Sequence, residues 1–206
     1  TQAAQRVGNI IAVCAGYNIL PMSITLSNEA IARNGITESM STDEKVHLLK
    51  GLRIGITTPG SGTDDMTRAI LRARGMNPDK DITFIQTGGD PETLAAFMSG
   101  SIDVANLTPP TDAQAIAKGY HYVIYGPDLK IPYAATAFVT KRSVIAKRPQ
   151  VIDNFMHAMA ETAKLMHTDR EFVYKVLGKY LRISDRNVLD SAYNAEIKVL
   201  EPRLVI

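Results

Sequence analysis

The residues with chemistry to offer are concentrated in TTPGSGTDD, residues 57–65, and an amphipathic pattern, MTRAILRARG, follows directly. Gly60, Ser61, Gly62 and Thr63 bring two hydroxyls and two permissive backbone positions to what reads as a helix entrance, with Asp64 and Asp65 in its first turn. Glycines let the backbone approach a guest and turn its N–H groups toward it, and the helix dipole adds partial positive charge, so the segment suits an anion or polar ligand. Enzymatic uses of such loops fail on the letters. A phosphate-cradling P-loop ends in Gly-Lys-Ser/Thr, whereas Gly62 is followed by Thr63 and Asp64, and a dinucleotide fingerprint needs a small residue where Asp65 stands. A nucleophile elbow, Gly-x-Ser-x-Gly, is not supplied either. The same letters also fit a purely structural task, since Ser61 with Asp64 matches the S-x-x-D capping box. Cap and ligand site both stay open at this stage. Two carboxylates already exploit the dipole, which favours a zwitterion or a neutral polar ligand over a simple inorganic anion.

Elsewhere the reactive side chains are dispersed. The single cysteine, Cys14, lies in the apolar run IIAVCAG and reads as a buried thiol. His47, His121, His157 and His167 show no metal-ligand spacing, and no nucleophile, base and orienting group come together, so neither a metal nor a cofactor is expected. A formal net charge of +2, with basic residues spread along the chain, gives no footprint for nucleic acid or an anionic membrane. No apolar run approaches the roughly 20 residues needed to span a bilayer. A diffusing small molecule is the partner these observations leave.

The elements that must position the loop follow from periodicity. NIIAVCAG (9–16) and SITLS (23–27) read as strands joined by YNILPM, and residues 28–50 read as a mixed connection with helical character around 43–49. From Gly51 the types alternate: LRIGIT (52–57) strand, a helix at 64–75 closed by Gly75, ITFIQT (82–87) strand, PETLAAFMSG helix, IDVANL (102–107) strand, DAQAIAKG helix, YHYVIYG strand. Such alternation predicts a mostly parallel sheet covered on both faces, whose carboxyl edge would carry the Gly-Ser loop, where open α/β sheets bind their ligands. Beyond Pro127 comes a strand at 134–140 and then helices, over RPQVIDNFMHAMAETAKLMH with Val151, Phe155, Met159 and Met166 at helical spacing, over EFVYKVLGKY, and over SDRNVLDSAYNAEIKVL with Ser184 as N-cap. Helices with apolar faces need a partner, and the N-terminal strands supply one. The reading is therefore two lobes, 51–126 as a complete α/β domain and 1–50 with 127–206 as the other, joined by crossing segments that imply a hinge.

The stretch from GLRIGITTPGSGTDDMTRAILRARG through GMNPDKD, AAFMSGSIDVANLTPPTDAQAIAKGY strongly resembles the substrate-binding proteins of ABC importers of the nitrate/sulfonate/bicarbonate (taurine, alkanesulfonate) family. AGYNILPMSITLS and RPQVIDNFMHAMAETAKLM resemble the flanks of that family. The resemblance implies a type II periplasmic-binding-protein fold and a ligand trapped between two lobes for delivery to a membrane permease. It implies a periplasmic or lipid-anchored location and no enzymatic activity. It also implies that the first lobe is incomplete, because strands that open the family's mature proteins have no counterpart before Thr1.

Carried over onto matching positions, the resemblance implies ligand contacts at Ser61, Gly62 and Thr63, flanked by Gly60 and Asp64. It adds Thr108 and Pro109 from the loop after IDVANL, and Tyr17 and Asn18 beside Gly16 at the end of a first-lobe strand. Pro109-Pro110 also fits a plain helix start, and Tyr17 a plain loop tyrosine. Two alternatives share the fold. One is an enzyme of thiamine-pyrimidine synthesis, against which the single cysteine counts. The other is a ligand-sensing module without a permease.

Overall fold

A computed structural model of the chain describes residues 9–37, 39–201 and 203. It divides into two compact units, Pro21–Leu129 and a second formed by the residues up to Leu20 together with those from Lys130 onward. The outermost parts of the expected first lobe, residues 1–8 and 204–206, lie outside the described residues.

In the unit Pro21–Leu129, the strands are β2 (Ser23–Leu26), β3 (Arg53–Ile56), β4 (Thr83–Gln86), β5 (Val104–Leu107) and β6 (His121–Tyr125), ordered β4-β3-β5-β2-β6 in one sheet. β3 runs parallel to both β4 and β5, while β2 is antiparallel to both β5 and β6. The carboxyl ends of β3, β4, β5 and β6 therefore share one edge, and β2 starts there at Ser23, opposite Leu107 and Tyr125. The sequence reading placed SITLS in the other lobe and began this one at residue 51. The structure extends it back to Pro21, because all four residues of β2 are buried in the middle of the sheet and cannot be shed from it.

The connecting helices are α1 (Asn28–Asn34), α2 (Thr42–His47), α3 (Gly62–Arg72), α4 (Pro78–Asp81), α5 (Asp90–Met98) and α6 (Thr111–Ala117). Segment 28–34, expected as irregular connection, is helical because Ser27 caps it, its side chain accepting from Ala30 N, and Gly35 closes it in the left-handed region. Alternation along β5 shows how both faces are covered. Ala105 and Leu107 join Leu94, Phe97, Ile102 and Ala115 beneath α5 and α6, and Asn106 turns the other way, donating to Thr63 O on α3. Gly55 in β3 is required by close packing, since a Cβ there would stand 2.4 Å from Ile102 Cδ1. Gly75 has φ +74°, as the sequence predicts for the residue closing α3, and Met76 N bonds Leu71 O across it.

The other unit pairs β1 (Ile10–Ile19) antiparallel with β7 (Pro132–Lys141) and carries α7 (Arg142–Lys147), α8 (Pro149–Thr168), α9 (Arg170–Leu181) and α10 (Arg186–Val199). β1 runs on through Tyr17 and Asn18 to Ile19, where a loop was expected. Cys14 is buried with Ala163 of α8 and is packed by Phe138, Met156, Met159 and Leu200. Of the stripe expected on α8, Met159 reaches this core, whereas Val151 and Phe155 are 44% and 38% exposed. The N-cap of α10 is Asp185 rather than Ser184, its carboxylate accepting from Asn187 N and Val188 N.

Candidate ligand-binding site

At the carboxyl edge of the five-stranded sheet, the loop between β3 and α3 gathers three hydroxyls. Thr57 Oγ1 donates to Ser61 Oγ at 2.9 Å and lies 3.0 Å from Thr63 Oγ1, and Ser61 Oγ is 2.9 Å from Thr63 Oγ1, which closes a triangle. Thr57 N also donates to Thr63 Oγ1. The cap reading is realised in the same atoms, since Ser61 Oγ accepts from Asp64 N at 3.3 Å and Asp65 N bonds Ser61 O. The capping box is not reciprocal, however: Asp64 accepts from Gly60 N at 2.8 Å instead of from Ser61 N. Among the described residues this leaves Gly62 and Thr63 as first-turn amides of α3 taken by neither a carbonyl nor a cap. Cap and polar cradle thus coexist. Asp64 itself is occupied, holding Arg68 Nε at 2.6 Å, and Arg68 in turn pairs with Asp79 and lies over the Phe84 ring at 4.2 Å.

The adjacent loops complete this edge. After β4, Thr87 Oγ1 donates to Ile56 O at 2.8 Å and Gly88 N to Thr57 O at 3.0 Å, which ties the Thr87-Gly88-Gly89 turn to the Ser61 loop. After β5, Thr108 gives both its N–H (2.9 Å) and its hydroxyl to Asp90, the first residue of α5. Pro109-Pro110 is a cis peptide that leads into α6.

Asp112 at the start of α6 is fully buried and accepts from Ser23 Oγ, Tyr122 Oη and Ala113 N. Desolvation by burial, with the Asp90 charge adding to it, raises its pKa against the pull of these hydrogen bonds. A register shift in β6 between Ile24/Ile124 and Thr25/Tyr122 makes Val123 an extra residue. Tyr122 and Tyr125 are therefore brought within 5.0 Å of each other, where a regular strand would send them to opposite faces. Burial, reinforced by Asp112, raises both phenols, Tyr125 to about 12.

Of the sequence-derived candidates, the structure brings Gly60, Ser61, Gly62, Thr63, Asp64, Thr108 and Pro109 to this one edge. Tyr17 and Asn18 belong to the other unit. There Tyr17 Oη donates to Glu196 at 2.5 Å, and Asn18 Nδ2 donates to Glu201 at 3.2 Å. Thr57, Thr87, Asp90, Asp112 and Ser23 were missed. TGGD at 87–90 carried a readable signal, a glycine pair between a strand and a Pro-containing helix start, in parallel with GSGT. The segments 57–61, 87–89 and 108–110 contain no basic residue, so polarity at this edge comes from hydroxyls, amides and carboxylates. Among the described residues no three His, Cys, Asp or Glu side chains assemble as a metal-holding group.

A sequence profile of the NMT1-like family matches residues 2–177. The chain belongs to the NMT1-like family. Among relatives of this NMT1-like chain, the nitrate/nitrite-binding protein NrtA of Nostoc sp. is 25% identical over 149 residues, covering 69% of the chain and 33% of that protein. The solved alkanesulfonate-binding protein SsuA of Xanthomonas axonopodis pv. citri, bound to MOPS, superposes with TM-score 0.74 at 19% identity over 97% of the chain and 63% of its own. The periplasmic nitrate-binding protein NrtA of Synechocystis PCC 6803 gives TM-score 0.69 at 18% identity over 88% of the chain and 48% of its own. These likenesses show an α/β fold shared with periplasmic solute-binding proteins. The chain spans about a third of the Nostoc relative and less than two thirds of both solved structures.

Proposed function

We propose that this NMT1-like chain is the ligand-holding part of a solute-binding component of an ABC importer. It would act outside the cytoplasmic membrane, without enzymatic chemistry, and deliver its solute to a permease. No helix among the described residues is long and apolar enough to cross a membrane. The solute is a small polar or anionic organic molecule captured between two lobes. Contacts in the α/β unit come from Ser61, Gly62 and Thr63, with Gly60 and Asp64 shaping the loop and Thr108 and Pro109 beside it. Tyr17 and Asn18 are the proposed contribution of the other unit.

The observation that carries this reading is the Thr57–Ser61–Thr63 hydroxyl triangle beside the untaken amides of Gly62 and Thr63, at the carboxyl edge of the sheet. A closed ring of hydroxyls can rotate its protons outward, so an incoming acceptor oxygen is met by several donors without moving the backbone. With no basic residue in segments 57–61, 87–89 and 108–110, charge on the solute is met there by dipoles, in line with a zwitterionic or delocalised anion. Calorimetry and thermal shift with alkanesulfonates, taurine, nitrate, aromatic carboxylates and pyrimidines test the proposal. At least one is expected to raise the melting temperature in a concentration-dependent way. A flat response to all of them, in a chain that includes whatever precedes residue 1, would overturn it.

A further inference from the structure

Charge is segregated in the unit that carries β1 and β7. Between Asp128 and Asp153 the chain holds five bases, Lys130, Lys141, Arg142, Lys147 and Arg148, and no carboxylate, a local excess that the overall charge of +2 conceals. Four of them fall within the eight residues 141–148, which take in α7 and the turn into α8. All four are exposed, α7 buries none of its residues, and among the described residues none of the four forms an ion pair. α7 packs against β7 and α8, and β1, the partner of β7, carries no charged residue. Arg142 N donates to Asn9 O, and the residues before Asn9, TQAAQRVG, add one more arginine and no acidic residue. The first carboxylate after the cluster, Asp153, accepts from Gln150 Nε2 at 3.2 Å and lies 3.6 Å from His157. The cluster also stands at the end of a helix that disfavours it. α8 runs for 20 residues from Pro149, its N-cap is Arg148, no side chain caps it, and its first turn has no acid. The amides there carry the positive end of the dipole, which bases oppose and an anion relieves. Folding alone favours Ser, Asp or Asn at the N-cap. Bases in their place suit an anion from outside the fold.

We propose that this cluster is a docking surface for the anionic headgroups of a lipid bilayer, which hold the protein peripherally at a membrane. Lipid phosphates are met by Lys141, Arg142, Lys147 and Arg148 and by the first-turn amides of α8. The apolar neighbours favour a bilayer over a soluble anion. Val139, two residues before Lys141 on the same face of β7, is exposed, and so is Val151, on the stripe of α8 that Arg148 begins. Bases interleaved with exposed apolar side chains are the make-up of surfaces that rest in the headgroup layer, where the charged ends of Lys and Arg stay at the phosphates. The surface uses no residue of the Ser61 loop, so it stands or falls apart from the proposed solute site.

Flotation of the full chain with vesicles tests this, with phosphatidylglycerol and phosphatidylcholine in about equal parts set against phosphatidylcholine alone. Binding is expected to the mixed vesicles only, and to fall at least about tenfold as added salt shortens the Debye length from about 10 Å to about 3 Å. Lys147→Glu with Arg148→Asp should lower binding at least about tenfold yet melt no lower than the parent, since carboxylates suit the N-terminus of α8. Lys141→Gln with Arg142→Gln, which leaves α8 untouched, should act in the same direction. Lys175→Glu with Lys179→Glu on α9 changes the net charge as much as the first pair does and should keep most of the binding. The proposal is overturned if the mixed vesicles fail to bind the parent, if salt leaves binding unchanged, if neither cluster variant loses binding, or if the α9 pair loses as much. Tighter binding to polyglutamate than to the vesicles, lost in the same cluster variants, would assign the surface to an acidic protein and equally overturn it.

Discussion

Asp90 accepts both the backbone N–H and the hydroxyl of Thr108, so one carboxylate at the start of α5 clamps the loop that follows β5. Neighbouring loops at the carboxyl edge are thereby fixed to each other by a charge-assisted pair of bonds. Asp90→Ala leaves two half-buried donors without their acceptor and is expected to destabilise the α/β unit by about 1–3 kcal/mol. Asp90→Asn keeps one acceptor oxygen and should lose less. Urea denaturation followed by circular dichroism checks the order Asp90→Ala < Asp90→Asn < parent. Equal stability of all three would show that the clamp is idle.

Ser61 does two jobs that substitution can separate. As the N-cap of α3 it accepts from Asp64 N, and as a member of the hydroxyl triangle it contacts Thr57 and Thr63. Ser61→Ala removes both and should cost about 1 kcal/mol of stability. Ser61→Asn retains a capping oxygen but not the hydroxyl ring. It is expected to stay within a few tenths of a kcal/mol of the parent while losing solute affinity about tenfold. If Ser61→Asn binds solute as well as the parent does, the triangle is only a cap.

Much of the α/β unit was legible because alternating strand and helix periods mark it plainly, and the strands after Gly51 fall where LRIGIT, ITFIQT, IDVANL and YHYVIYG predict. The placement of β2 was not legible. Its residues SITL alternate like a half-buried strand, yet all four are buried, since β5 and β6 flank it and helices cover the sheet. Chain order suggested the N-terminal partner, and only the antiparallel pairing to β5 and β6 overrides it. In the candidate site, Ser61 and Thr63 were readable from the glycines around them. Asp112 was not, because its bonds to Ser23, 89 residues away, and to Tyr122 across the turn into β6 depend on the tertiary fold. The bulge at Val123 leaves no mark in the letters HYVIY.

Gly55 in β3 and Ile102, two residues before β5, form a steric pair. An added Cβ would meet Ile102 Cδ1 at 2.4 Å and Thr93 Cγ2 at 3.2 Å. The first contact is with the end of a flexible side chain, so Gly55→Ala is expected to cost about 1–3 kcal/mol instead of preventing folding. Ile102→Val removes the offending methyl and should cost about 1 kcal/mol alone. The double variant is expected to be more stable than the sum of the two single effects predicts, because Ile102→Val makes room for the methyl added at Gly55 and that methyl fills the space Ile102 vacates. Additive losses in urea denaturation would mean that the strain lies at Thr93.

Two buried carboxylates push the pH dependence of stability in opposite directions. Asp103 accepts from Arg53 Nε at 2.9 Å and from Arg33, and the Arg53 bonds hold its pKa down to about 2. An aspartate in the unfolded chain titrates near about 3.9, so the folded state binds this proton less tightly. The stabilisation is therefore complete above about pH 4 and is lost as pH falls toward about 2. Since Arg53 and Arg33 are 43% and 59% exposed, solvent screens the pair, and about 1 kcal/mol is the expected loss. Asp112 has the reverse sign. Burial raises its pKa, so its contribution is greatest below the unfolded value and declines as pH rises through the folded one. Asp103→Asn should flatten the acid side of a stability profile between about pH 2 and 4. Asp112→Asn should flatten the decline that begins above the unfolded value of about 3.9 and raise stability once the parent carboxyl ionises, since an amide can bond Ser23, Tyr122 and Ala113 N without a buried charge. Urea midpoints measured across pH for both variants separate the two effects, and a profile above about pH 4 left unchanged by Asp112→Asn would show that the carboxylate is compensated after all.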